Sequence, residues 1–169
     1  DCASHDLEVF KKNVRNKIMR LAGNLVAVCN EVGDRYGIPG VNKRIAVSPI
    51  AVAACSFSAK QMVEIANTLD AAAQAIQIDF IRGFSALVEK GFSRGDHALI
   101  EAIPESLAST ERVCASVNVA STRAGINMDA VYLMGKTIKW AAQLSAAADG
   151  IACAKLCVFA NIPQDIPFM

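Results

Sequence analysis

Four apolar, β-prone segments begin near positions 41, 78, 112 and 151, roughly 35 to 40 residues apart, and stretches with helical periodicity separate them. That rhythm constrains the fold more than any other feature. Strands joined through a helix must run in the same direction, and such a crossover is right-handed. The expected architecture is α/β, built of repeated strand-helix units with parallel strands, as an open layered sheet or as part of a barrel. No low-complexity linker divides the 169 residues, so a single α/β domain over 1–169 is the simplest organisation.

From Asp6 to Tyr36, apolar residues such as Phe10, Val14, Ile18, Leu25, Val28 and Val32 recur at steps of three and four, which predicts one long amphipathic helix. Gly37-Ile38-Pro39-Gly40 ends it, and alternation over Val41–Val47 predicts the first strand. Ser48-Pro49 starts a helical piece, and Ser58 with Gln61 has the spacing of a capping box before a helix reaching Ile76. The second strand is expected at Ile78–Gly83. Three glycines then predict an irregular connection, with a short helical piece near Ser85–Lys90. Asp96 caps a helical segment that Pro104 interrupts or restarts, Arg112–Val119 is the third strand, and Asn127 caps a helix from Met128 to about Ala147. The fourth strand is expected over Ile151–Ala160.

Seventeen Lys+Arg against sixteen Asp+Glu leave a formal charge of +1, without a basic or acidic block, so charge names neither a nucleic acid nor a membrane as partner. Apolar runs such as Ile50–Cys55 are far short of the ~20 residues of a membrane helix, and no signal peptide is recognisable. The expected setting is cytoplasmic. The six cysteines are then expected as reduced thiols, mostly packed in apolar runs. His5 and His97 lack ligand-like spacing, so no metal site is expected.

Alternate positions of the strands are polar, where parallel strands covered on both faces read as continuous apolar runs. Asn42 and Arg44 share a side of the first strand. Cys114, Ser116 and Asn118 share one of the third. In the fourth, Lys155 and Asn161 are in phase with Cys153 and Cys157, and Asp79 stands between Ile78 and Phe80. Such groups, converging in an otherwise apolar hollow, are what a small-molecule site contains. They are equally what a satisfied buried network contains, with Asp79 paired to Arg44, Arg82 or Lys155. Of the loops at the carboxyl ends of the strands, 118–127 is the richest, because Ser121, Thr122, Arg123 and Gly125 precede a helix N-terminus that favours an anion. An ordinary capped loop has the same composition, and no glycine-rich nucleotide fingerprint is present.

Val41-Asn-Lys-Arg-Ile-Ala-Val-Ser-Pro-Ile50, Asp79-Phe-Ile-Arg-Gly-Phe-Ser-Ala-Leu-Val88, Glu111-Arg-Val-Cys-Ala-Ser-Val-Asn-Val119, Ser121-Thr-Arg-Ala-Gly-Ile-Asn-Met-Asp129, and Cys153-Ala-Lys155 with Val158-Phe-Ala-Asn161 together resemble the uncharacterised "PFL family" of prokaryotic proteins. The resemblance covers essentially residues 5 to 169. It implies a fold similar to pyruvate formate-lyase, a ten-stranded α/β barrel of two parallel five-stranded halves, of which this chain would supply roughly the first. The resemblance implies no reaction. The adjacent cysteine pair and the glycine motif of radical enzymes are both absent from this sequence.

The expected function is therefore that of an uncharacterised PFL-like protein binding a small anionic metabolite, as an enzyme of unknown reaction or as a non-catalytic binding or regulatory module. The residues expected to bind are Asn42, Arg44, Ser116, Asn118, Ser121, Thr122, Arg123, Gly125, Asn127 and Asn161. Arg44 and Arg123 would contact the anion, Asn118 and Asn127 would orient it, and Asp79 or Lys155 would carry protons. The cofactor is unknown. The start at Asp1 rather than Met, and the Ile-Pro-Phe-Met ending, predict a fragment of a longer barrel, and unpaired strand edges predict a homo-oligomer or a missing second half.

Overall fold

A computed structural model describes residues 2–162. The C-terminal segment Pro163–Met169 lies outside the described residues. Parallel strands β1 (Arg44–Ala46), β2 (Phe80–Leu87), β3 (Val113–Ser121) and a final strand at Leu156–Ala160 are hydrogen-bonded in that order, as the rhythm of the sequence predicts. A two-residue strand β4 (Gly125–Ile126) folds back antiparallel on the end of β3, so the final strand is β5. That hairpin was not expected.

The helices run α1 (Leu7–Ala22), α2 (Leu25–Tyr36), α3 (Ile50–Ala53), α4 (Ala59–Ala75), α5 (Arg94–Ser109), α6 (Met128–Leu144) and a single turn α7 (Ile151–Ala154). Helices α4, α5 and α6 pack side by side, α4 and α5 lying on β2 and β3. Sequential strand order with right-handed crossovers places them all on one face. The core lies between them, with Ile81, Phe84, Val113, Ala115 and Val117 from the sheet and Ile65, Leu69, Leu99 and Ile103 from the helices all essentially inaccessible. No helix covers the other face among the described residues, and no barrel is closed.

The long first helix is in fact two. A turn at Gly23–Asn24 separates α1, which buries Phe10, Val14 and Ile18, from α2, which buries nothing and leaves Val28, Val32 and Tyr36 exposed. The second strand does not stop at Gly83. It runs to Leu87, where a helical piece was expected, because Gly83 at φ +108° lets the chain bulge and resume its alternation. Helix α5 starts earlier than Asp96 indicates. Ser93 is its N-cap and Asp96 closes a capping box with it, while Pro104 sits inside an unbroken helix. The fourth strand begins only at Leu156, since Ile151–Ala154 form a helical turn entered through left-handed Asp149 and Gly150.

Candidate functional site on the open sheet face

Sheet register decides which side chains meet. Arg44 neighbours Phe80, and Ala46 neighbours Arg82. Ser85, Ser116 and Cys157 form one row across three strands, and Leu87, Asn118 and Phe159 the next. These rows alternate with the helix-facing rows of Ala115 and Val117, so they belong to the open face.

A register shift between Ile81 and Phe84 puts two residues of β2, Arg82 and Gly83, opposite the single residue Cys114 of β3. Parallel bulges are rare, and bulges re-aim side chains beside functional sites. Here the bulge sets half-buried Arg82 beside half-buried Cys114. Neither Arg82 nor Arg44 has a carboxylate partner among the described residues; the Arg44 guanidinium lies 5.3 Å from the centre of the Phe80 ring. Burial pushes the Cys114 thiol pKa up, and the positive charges of Arg82, Lys155 and Arg44 oppose that rise. Cys114 is therefore a protonated thiol near neutral pH, not an activated nucleophile. Brief iodoacetamide treatment at neutral pH, read by peptide mass spectrometry, should label exposed Cys55 and Cys157 well before Cys114; labelling of Cys114 first would contradict this placement.

All six cysteines are free thiols, as expected, but Cys55 and Cys157 are exposed and not packed in the core. Among the described residues no group of three or more His, Cys, Asp and Glu is arranged to hold a metal ion, and no helix is long and apolar enough to cross a membrane.

The other expected site residues are dispersed. Asp79 is exposed at the opposite end of the sheet from the 118–127 loop, and its Oδ2 accepts from the Lys43 backbone N–H at 2.7 Å, which ties β1 to β2. None of the three basic partners anticipated for it forms an ion pair with it among the described residues. Lys155 precedes β5 and ends the α7 turn with non-extended backbone (φ −98°, ψ 2°), so strand alternation does not set its side chain. It is buried, and its Nζ donates to the carbonyls of Leu107 at 2.7 Å and of Thr110, at the C-terminal end of α5. Asn42 is exposed ahead of β1.

The 118–127 loop is tied by its own side chains. Ser121 Oγ accepts from the Ala124 N–H at 3.1 Å. Asn161 Oδ1 accepts from the Thr122 N–H at 2.8 Å and from the Thr122 hydroxyl. Asn127 caps α6 through Ala130 N–H at 3.1 Å and donates to the Val88 carbonyl at 2.7 Å. Gly125 supplies φ +76° for the hairpin and Arg123 is exposed. With Asn127 and the first-turn Asp129 already serving the helix end, an anion there meets a site whose donors are partly taken.

Of the expected residues, then, Arg44, Ser116 and Asn118 share the open face, and the residue missed is Arg82. Its only sequence signal is the glycine that follows it inside a strand, a mark of a bulge.

The architecture is that of a parallel α/β protein with helices on one face and a polar, partly basic sheet on the other. The chain belongs to the family described as "Uncharacterised ACR (DUF711)", which matches residues 1–169. It is 77% identical over 169 residues to a "UPF0210 protein" of Syntrophobacter fumaroxidans, covering all of this chain and 37% of that protein. Similar proteins of the same name occur in Desulfovibrio desulfuricans, 63% identical with 37% of the relative covered, and in Methanosarcina acetivorans, 57% identical with 36% covered. The chain thus spans little more than a third of the length of these curated relatives.

Proposed function

We propose that the open sheet face binds a small anionic molecule, a carboxylate or phosphate, through Arg82 and Arg44, with the Ser116 hydroxyl and the Cys114 thiol beside it. The observation that carries this reading is the half-buried Arg82 at a bulge without a counter-ion among the described residues, since a partly desolvated guanidinium calls for an anion. The binding reading is favoured over the catalytic one. Both expected proton carriers are engaged elsewhere, Asp79 by a backbone N–H and Lys155 by two carbonyls, and Cys114 is held as a thiol.

Calorimetric titration of phosphate and of short mono- and dicarboxylates into the full protein tests the proposal. One of them should bind, and Arg82→Gln should weaken it roughly tenfold to a hundredfold, as loss of a charge-assisted hydrogen bond does. Equal affinity in wild type and variant would remove Arg82 from the site.

The wider context proposed is a cytoplasmic protein whose sheet continues into a barrel of the pyruvate formate-lyase type, or pairs with a second copy. The uncovered face, and the β5 edge that pairs only with β3 among the described residues, support this reading. The relatives' greater length is compatible with it.

A further inference from the structure

Beyond the carboxyl ends of β2 and β3 lies a cleft of about 500 Å³, lined by Glu89, Lys90, Phe92, Asn127 and Asp129 together with Gly91 and Ala124. Its character is opposite to that of the Arg82 region, since two carboxylates face one ammonium. Glu89 is the unusual member. It is only 9% exposed, yet it forms no ion pair among the described residues. A carboxylate so far removed from water needs donors.

The one side chain within hydrogen-bond reach of it among the described residues does not supply them. Asn118, 3% exposed, stands between Glu89 and the carbonyls of Ala120 and Phe159. Two amide orientations compete. In one, Nδ2 reaches Glu89 Oε2 at a long 3.4 Å, and the amide oxygen is left facing only acceptors. In the other, the nitrogen donates to Ala120 O at 2.9 Å and Phe159 O at 3.1 Å, using both hydrogens. The second makes two shorter bonds in place of one long one, and we adopt it. The Asn118 oxygen then lies beside the Glu89 carboxylate and offers it no donor. Asn127 cannot serve, because its nitrogen is spent on Val88 O.

We infer that this cleft is a binding site for a primary ammonium group, such as the amino end of an alkylamine or amino-acid-like ligand. An ammonium brings three N–H donors on one small centre and balances the charge of the Glu89 carboxylate that lines the cleft. Asp129 adds negative charge at the rim, and Phe92, stacked on His97 at 4.5 Å between ring centres, offers an aromatic wall for the alkyl stem or the cation itself. The site uses neither Arg44 nor Arg82, on which the anion proposal rests, and stands independently of that reading.

Titration of n-butylammonium chloride into the full protein, followed by calorimetry and by NMR line broadening of the ligand, tests it. Saturable binding is expected, weakened about tenfold or more by Glu89→Gln. Asp129→Asn, a surface change that leaves Glu89 in place, should weaken it by a smaller factor. Tetramethylammonium, which carries charge without N–H donors, should bind much more weakly than butylammonium. The inference is overturned if butylammonium does not bind, if folded Glu89→Gln binds it as the wild type does, or if tetramethylammonium binds equally well. Should Glu89→Gln fail to fold, the tetramethylammonium comparison and Asp129→Asn on otherwise native protein decide the matter.

Discussion

Replacing Gly83 by alanine should destabilise the protein by about 4 kcal/mol, as a backbone in the left-handed range and a blocked side-chain position act together. Gly83 has φ +108°, a region that residues with a Cβ rarely occupy, and a Cβ there would run into the carbonyl of Val47. Val47 cannot yield easily, because its N–H donates to the Arg82 carbonyl at 3.0 Å and so holds the end of β1 against β2. Relieving the contact therefore means pulling the end of β1 away from β2. A loss of that size is a large part of the ~5–15 kcal/mol that stabilises an ordinary domain. Gly150→Ala is the matched control, since Gly150 also has positive φ, +72°, but nothing lies within 4 Å of an added Cβ. It should cost only about 1 kcal/mol. Urea unfolding of the two variants compares them directly, and equal losses would show that the bulge tolerates a side chain. Any folded fraction of Gly83→Ala should also bind the anion more weakly, because the bulge sets Arg82 opposite Cys114.

The same glycine shows how far the sequence could be read. The parallel α/β plan was legible because helical and strand periodicities differ and each strand is separated from the next by a helix. The fate of residues 83–88 was not, because a glycine inside a strand reads as its end when the bulge depends on a neighbouring strand. Ile151–Ala154 was misread for another reason: a short apolar run fits a buried helical turn as well as a strand. Lys155 ends that turn ahead of β5, so the alternation that would set it on the open face does not reach it. Arg44, Ser116 and Asn118 share the open face because alternation holds along β1 and along β3 as far as Asn118. The pairing of Arg82 with Cys114, and of Glu89 with Asn118, depends on register between strands about 30 residues apart in sequence, which the pattern of either strand alone does not contain. Ser121, Thr122, Asn127 and Asn161 have the composition of a ligand loop, but their hydrogen-bonding capacity is largely spent on the loop itself.

Lys155→Met should cost about 3 kcal/mol near neutral pH, although methionine fills a similar volume, because two carbonyls at the C-terminal end of α5 lose their donor inside the protein. A buried cation at a helix C-terminus is favoured by the helix dipole, and the last carbonyls of α5 otherwise depend on such a cap. The position is not cost-free for lysine. Burial lowers its pKa below the ordinary 10.5, against the opposing pull of Asp70, Cys114 and Glu111. The folded protein therefore releases this proton at lower pH than the unfolded chain does. Between the lowered pKa and 10.5 the unfolded state holds more protons, so the contribution of Lys155 to stability rises with pH across that window, and below it the desolvation penalty is fully present. Methionine has no such dependence. The stability difference between wild type and Lys155→Met should thus widen as pH is raised toward 10.5, which urea unfolding at several pH values measures. A difference that narrows with pH would mean that the ammonium is stabilised in the fold, contrary to its burial. No difference at any pH would mean that the carbonyls of Leu107 and Thr110 find other donors, and Lys155 would again be available for the proton-carrying role that its sequence position first indicated.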